Sequence, residues 1–550
     1  MRKLILLAIA ISFFATASTC RKRNVEYVTV ALPEKFSTFD TLTMSGTDAA
    51  AERVKNLMFN SLVKKDANFE YVGELAKEIK TSEDGKTITF ILQDGVKFHN
   101  GQDFSSADVK YTFDELLKSK GFKSGAFFDT VALDKPEPAK FQNMPKGDSP
   151  AAANINAATK PVEAPKTKRV AHITSIETPD AKTVVFTVTR PALRNQLLSN
   201  LVAIPIIPVG SVATQKDTPL GSGPFKFVSL DASQNIVELV ANSEYWEGAP
   251  KVQKLRLKTV TDANSLQAEL QTGGIDLAPN PSNISPDTLR SFTNSPTLKV
   301  VQTDGSNIQY LVFNTQSPPL NNPKIRQAIG FAIDRQKIIT ELLFDQAKIA
   351  DSILPPQSWA FSNGTQYKFD PEKAKQLLQE AGYKNEPIVF KYGSGNLAVN
   401  QYSQVIQNAL TAVGLNIQIE TLEVQTSRQQ LAQGQFQMYT GVFVGGNQDP
   451  IFLRDLFSSL KIPTATVAGF NRSRYANPTL DKEVEAAINE VDKAKAKDLY
   501  IKTWELASFD LPLLPLWYPA NIVVANKRIG NIKISASGDW SFIKDITVSN

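Results

Sequence analysis

A chain of 550 residues is long enough for several packed cores, and 42% apolar with 21% charged residues marks an ordinary globular composition. A formal net charge of only +5, with no long run of lysine or arginine, is too near neutral to argue for a nucleic-acid partner. One cysteine cannot form an internal disulfide, and with two histidines it cannot build a Cys/His metal centre of the usual kind.

Arg2-Lys3 followed by the apolar run 4–17 reads as a secretory signal, too short for a comfortable bilayer span. Residues 1–19 are therefore expected to be removed. Cys20 stands directly after this run. It is either an incidental thiol or the lipidated first residue of a lipoprotein. The second reading is preferred, because the sole cysteine falls where lipidation needs it. Ala17-Ser18-Thr19-Cys20 resembles a bacterial lipobox, with departures at Ala17 and Thr19.

Downstream, 25–32 reads as a strand and 48–62 as a helix with Ala51, Val54, Leu57 and Met58 on one face. Strands are predicted at 87–92 and 96–98, each bounded by an Asp-Gly turn. Ser105-x-x-Asp108 reads as a capping box opening a helix through Leu117. His99 lies in the turn before it; bonding to nearby backbone is preferred over a metal or catalytic role. Residues 131–168 alternate proline with alanine, lysine and asparagine, and read as an extended insert. A strand resumes at 183–189.

The stretch 220–258 carries Gly221-Ser222-Gly223-Pro224, where glycines are expected to supply backbone angles forbidden to other residues. Two paired strands, 226–230 and 236–241, should follow, then a Tyr245-Trp246 plug and a strand at 254–259. Further on, 263–271 reads as a helix, and 275–277 and 310–314 as strands. Asn322-Pro323 caps an amphipathic helix carrying Ile325, Ala328, Ile329, Ala332 and Ile333, and a second helix starts at Asp334. Asp370-Pro371 and Asn477-Pro478 open later helices, and 513–518 returns as a strand.

These features, in this order, resemble the family 5 extracellular solute-binding proteins, the oligopeptide- and dipeptide-type receptors of ABC importers. The resemblance rests on Gly221-x-Gly223-Pro224-Phe225 with Tyr245-Trp246, on Asp94-Gly95-Val96-Lys97-Phe98-His99, and on Arg326-Gln327-Ala328-Ile329 with Ala332-Ile333-Asp334-Arg335. It covers about 26–545, broken mainly by the insert. It implies an α/β, two-lobed periplasmic-binding-protein fold with an extra domain and two inter-lobe crossings. Lobe one would take 25–66, 182–304 and 507–550, the extra domain 67–181, and lobe two 305–506. The crossings would fall near 304–310 and 509–514. Arg326 and Arg335 are expected to be structural rather than anion ligands.

The loop 436–457 resembles the family's ligand loop, roughly G-W-x-x-D-x-x-D-P. In peptide receptors its first aspartate pairs with the ligand's α-ammonium. Gly446 stands at that position here, and Phe443 replaces the tryptophan. The resemblance therefore implies that Phe443, Val444, Gly446 and Asn447 line the cleft. Asp449 is either a helix cap or an alternative ammonium partner. Trp517 and Tyr518 should lie near the crossing strand, with core packing and cleft exposure both open for Trp517. A blocked peptide or other elongated neutral solute suits Gly446 better than a free dipeptide. The implied molecule is a monomeric, non-enzymatic receptor without cofactor. It would work in the periplasm or at the cell surface, held to a bacterial membrane by lipidated Cys20 and delivering solute to an ABC permease. A structural lipoprotein and a hydrolase are the alternatives, but no G-x-S-x-G, H-E-x-x-H or Walker-type loop occurs.

Overall fold

The computed structural model describes residues 27–35, 38–44, 48–119, 121–132, 167–191, 193–445, 448–463 and 469–549. Two large mixed sheets organise it. The first has seven strands in the order Phe225–Asp231, Ile236–Ala241, Lys254–Thr259, Val28–Leu32, Leu277–Pro279, Asn521–Asn526 and Leu298–Thr303. Val28–Leu32 runs parallel to both of its neighbours. All five of its residues are buried, as expected for a strand covered on both faces.

The second sheet has six strands in the order Ala347–Ile349, Leu513–Pro519, Ile308–Phe313, Met438–Phe443, Pro387–Gly393 and Asn416–Leu422. A smaller sheet orders Ala76–Thr81, Thr87–Leu92, Thr183–Val188 and Ile173–Asp180. In Thr87–Leu92, alternate residues Ile88, Phe90 and Leu92 point inward. They join one core with Val30, Leu255 and Leu257 of the first sheet.

Three boundaries differ from the sequence expectation. Leu513–Pro519 belongs to the second sheet, so assigning 507–550 to lobe one is corrected: the chain returns to the first sheet only between Pro519 and Asn521. The strand is wholly apolar, and nothing in its composition distinguishes one sheet from the other. Thr183–Val188 pairs with Thr87–Leu92, so the small sheet extends past residue 181. Residues 96–98 make only a bridge, Lys97 to Asp103, instead of a strand. The edges of the insert are also regular: Val131 pairs with Lys168 and Ala132 with Thr167. Residues 133–166, like 1–26 with Cys20, lie outside the described residues.

Gly221 and Gly223 serve a different purpose from the one expected. Neither has a positive φ. A Cβ on Gly221 would meet Met58 O at 2.2 Å, and one on Gly223 would meet Met58 C at 2.4 Å. The helix Ala49–Met58 ends against this turn, and only glycine admits that approach. His99 fastens the same turn, its Nε2–H donating to Gly223 O at 3.0 Å.

Arg326 and Arg335 are structural. Arg326 is buried and donates to Leu320 O, Leu511 O and Asp510 O. Arg335 donates to Pro515 O, Tyr367 O and the Asp351 carboxylate. A buried guanidinium is tolerable only when bonded in this way.

Candidate ligand-binding cleft

The chain passes between the large sheets twice, at 304–307 and 519–521. The passages touch: a Cβ on Gly305 would lie 2.0 Å from Pro519 O. Beside them a cavity of about 350 Å³ takes its walls from both sheets.

One wall comes from the second sheet. Gln309 is paired with Val442 on one side and Trp517 on the other, so these three form a row across adjacent strands. All three line the cavity, with Val444 beyond. Trp517 is 2% exposed and stands edge-on to Tyr402, ring centres 5.0 Å apart. Gln309 Nε2 donates to Thr440 Oγ1 and Gly441 O, both at 2.9 Å. The opposite wall comes from the first sheet and its loops. Asn280 Oδ1 accepts from Ile522 N at 2.8 Å, and Asn280 Nδ2 donates to Asn521 Oδ1 at 3.3 Å. Two amides bridge the walls: Gln346 Nε2 donates to Pro286 O at 2.8 Å, and Asn396 Nδ2 to Ser282 O at 3.4 Å. The lining is thus amide-rich and apolar, and among the described residues Glu34 and Arg53 are its only charged members.

Val444 and Trp517 are on the cavity wall. Phe443 is not, and its expected cleft position is corrected. Successive residues of a strand face opposite ways. Val442 and Val444 take the cavity side, while Phe443 stacks on Tyr310 at 4.1 Å and meets Phe452 edge-on. Tyr518 lies on the strand that leads into the crossing, as expected, and of the two neighbours it is Trp517 that faces this cavity; the Tyr518 hydroxyl is shared between Ser352 O and Leu354 O. Gly446 and Asn447 lie outside the described residues.

Asp449 is also absent from the cavity wall. It is 8% exposed and accepts from the Tyr71 hydroxyl and from Ile451 N, the latter at 2.9 Å ahead of the helix Phe452–Phe457. That helix begins two residues after Pro450. Lys65 stands beside this pair: its Nζ donates to Gln448 Oε1 at 3.1 Å, and Gln448 Nε2 donates to Ser306 Oγ at 2.9 Å. Burial lowers the Lys65 ammonium, and the Asp449 charge opposes that shift. Burial, reinforced by Asp449, pushes the Tyr71 phenol well up. The carboxylate is therefore engaged by the protein itself.

Val442, Gln309, Asn280, Tyr402 and Arg53 were not singled out from sequence. Gln309 carried a usable signal, a lone polar side chain in the apolar strand Ile308–Phe313. Among the described residues no group of three or more His, Cys, Asp or Glu could hold a metal, and no helix is long and apolar enough to cross a membrane.

Two sheets crossed twice, with a cavity walled by both beside the crossings, define a two-lobed solute-binding protein. The chain matches the model of the bacterial extracellular solute-binding proteins, family 5 (middle region), over residues 70–462, and it belongs to that family. It is 27% identical to heme-binding protein A of Haemophilus influenzae over 93% of this chain and 90% of that one. It is 30% identical to a putative ABC transporter peptide-binding protein of Brucella ovis over 86% and 84%. The oligopeptide-binding protein AppA of Bacillus subtilis, solved with a nonapeptide, superposes with a TM-score of 0.72 at 21% identity, covering 95% of this chain and 99% of that one. The fold class and the family expected from sequence are those found.

Proposed function

We propose that this chain is the capture component of an ABC importer, holding a peptide-like or other elongated solute between its lobes and delivering it to the permease. The observation that carries this reading is the cavity itself, walled by both sheets beside the two crossings, where a bound solute would join the lobes. Family membership and the peptide-binding relative support the importer assignment. Amides offer donors and acceptors to a peptide backbone, while Val442, Val444, Tyr402 and Trp517 offer apolar contact. Asp449 is occupied by Tyr71 and Gly446 has no carboxylate, which favours a solute without a free α-ammonium. The protein works as a binding protein rather than an enzyme. It acts as a monomer outside the cytoplasm, tethered by acyl chains on Cys20.

Mass spectrometry of solute released from natively purified protein tests the receptor role. Calorimetric titration with free and N-acetylated peptide pools tests the ligand class; tighter binding of free peptides would overturn it. Intact mass of membrane-extracted protein should correspond to residues 20–550 plus fatty acyl mass. A product starting downstream of Cys20 would remove the anchor from this reading.

A further inference from the structure

The side-chain amides of the cleft are bonded to protein. Asn280, Asn307, Gln309, Gln346, Asn396 and Asn521 each make at least one protein hydrogen bond. Arg53 differs. Its Nη1 is buried and has no hydrogen-bond partner. Its nearest counter-charge is Glu34 Oε1 at 3.6 Å, a charge contact without a hydrogen bond. Glu34 is itself half-exposed, at 51% for the side chain. Four other guanidinium groups contrast with it. Arg326 and Arg335 are saturated by carbonyls and a carboxylate, Arg528 donates to Asp276 from both Nε and Nη2, and Arg256 does the same to Glu238.

The backbone that carries Arg53 is well anchored. It sits in the helix Ala49–Met58, whose Ala50, Val54 and Leu57 are fully buried. The Asp48 side chain caps that helix by accepting from Ala51 N at 2.8 Å. A guanidinium with an unpartnered Nη1 on a cleft wall matches an oxyanion that can accept an N–H bond from it. Glu34 at the same wall disfavours a doubly charged group such as a phosphomonoester. Across the cavity, Val442, Val444, Tyr402 and Trp517 form a surface for an apolar group.

We infer that Arg53 anchors a carboxylate of the solute, so that the transported class is a monoanion with an apolar portion, such as an amino-blocked peptide with a free carboxyl end. This rests on the cavity being the solute site.

Ligand-stripped protein is titrated calorimetrically with N-acetylated apolar peptides as free acids, with the same peptides as carboxamides, and with those carboxamides carrying one phosphoserine. The acids should bind, and the carboxamides should bind roughly 10- to 100-fold more weakly. Arg53→Gln should bring the acids down to the carboxamide level, and Arg53→Lys should restore part of the difference. Melting profiles of both variants report whether they fold. Equal binding of acids and carboxamides by the unmodified protein overturns the inference and leaves the receptor reading intact. So does an equal loss for both pools in Arg53→Gln. Recovery by the phosphoserine pool assigns the guanidinium to phosphate and overturns the carboxylate. If no pool binds, the solute released from natively purified protein decides: an acidic solute supports the inference and a neutral one overturns it. No binding and no released solute would remove the receptor reading, and the inference with it.

Discussion

The Tyr71 hydroxyl donates to the Asp449 carboxylate, joining residues 378 positions apart in the chain. Tyr71 lies on the hairpin of Val63–Lys65 and Tyr71–Gly73, whose Lys65 donates to Gln448, and the adjoining Glu70 pairs with Lys493 at 2.5 Å. These bonds tie the first half of the chain to the loop and helices that follow strand Met438–Phe443. The exposed Glu70–Lys493 pair contributes little. The part-buried Tyr71–Asp449 contact should carry most of the energy, because a carboxylate left short of donors is costly. Tyr71→Phe and Asp449→Asn should each lower stability by about 1–3 kcal/mol in chemical denaturation. The double variant should lose about 1 kcal/mol less than the sum. Strict additivity would show that the contact is energetically idle.

Gly305 tests how tightly the two crossings are joined. Its Cβ would meet Pro519 O at 2.0 Å and Asn521 N at 3.4 Å, and both neighbours are backbone atoms of the other crossing. Neither can rotate aside as a side chain would. Gly305→Ala should therefore cost about 2–4 kcal/mol. It should also change the radius of gyration seen by small-angle scattering, because relief requires the crossings to separate. An unchanged melting temperature would contradict this.

Local chemistry made much of the fold legible. Asn322 and Asp370 cap the helices expected of them, accepting from Lys324 N at 3.0 Å and Lys373 N at 2.9 Å. Phe225–Asp231 and Ile236–Ala241 pair across the expected turn. Each of these depends on residues close in sequence. What stayed hidden depends on register or on distant partners. Phe443 and Trp517 lie on the two strands that flank Ile308–Phe313, and a one-residue phase error in either exchanges cavity for core. Pattern alone could not set that phase in Leu513–Pro519, where six consecutive residues are buried. The role of Asp449 follows from Tyr71, and the vacancy of Arg53 follows from what fails to reach it. Neither can be read from neighbours in the chain.

The proline-rich insert is separable at its root. Phe128–Ala132 and Thr167–Ala171 form a closed antiparallel pair, and His172 N donates to Phe127 O at 2.9 Å just beyond it. The pairing of Ala132 with Thr167 brings the ends of 133–166 side by side. A two-residue Asn-Gly turn can join strands so placed. Replacing 133–166 by such a turn should leave the melting temperature within about 3 °C, because no pairing of the flanking strands is lost. A drop beyond about 10 °C would show that the segment packs on the body.

His99 gives a prediction about pH. Burial lowers its imidazole to about 4 from 6.5. The folded state therefore requires the neutral ring, whose Nε2–H donates to Gly223 O. Between those values the unfolded chain binds more protons than the folded one, so this contribution to stability rises with pH across the window and is lost as pH falls through it. Its full size is about 3 kcal/mol. Glu74 has the opposite sign. Burial raises its carboxyl to about 7 from 4.5, so its contribution is present below pH 4.5 and is lost as pH rises through about 7. The two slopes oppose each other over most of the window and partly cancel in the unmodified protein. His99→Gln keeps a donor for Gly223 O and removes the titration. The stability difference between the unmodified protein and this variant should therefore grow by about 3 kcal/mol from pH 4 to pH 6.5. The variant alone should lose stability as pH rises from 4.5 to 7, with Glu74 no longer opposed. Denaturation curves at half-unit pH steps provide the check. A difference that stays constant with pH would show that the ring at His99 titrates alike in the folded and unfolded chains.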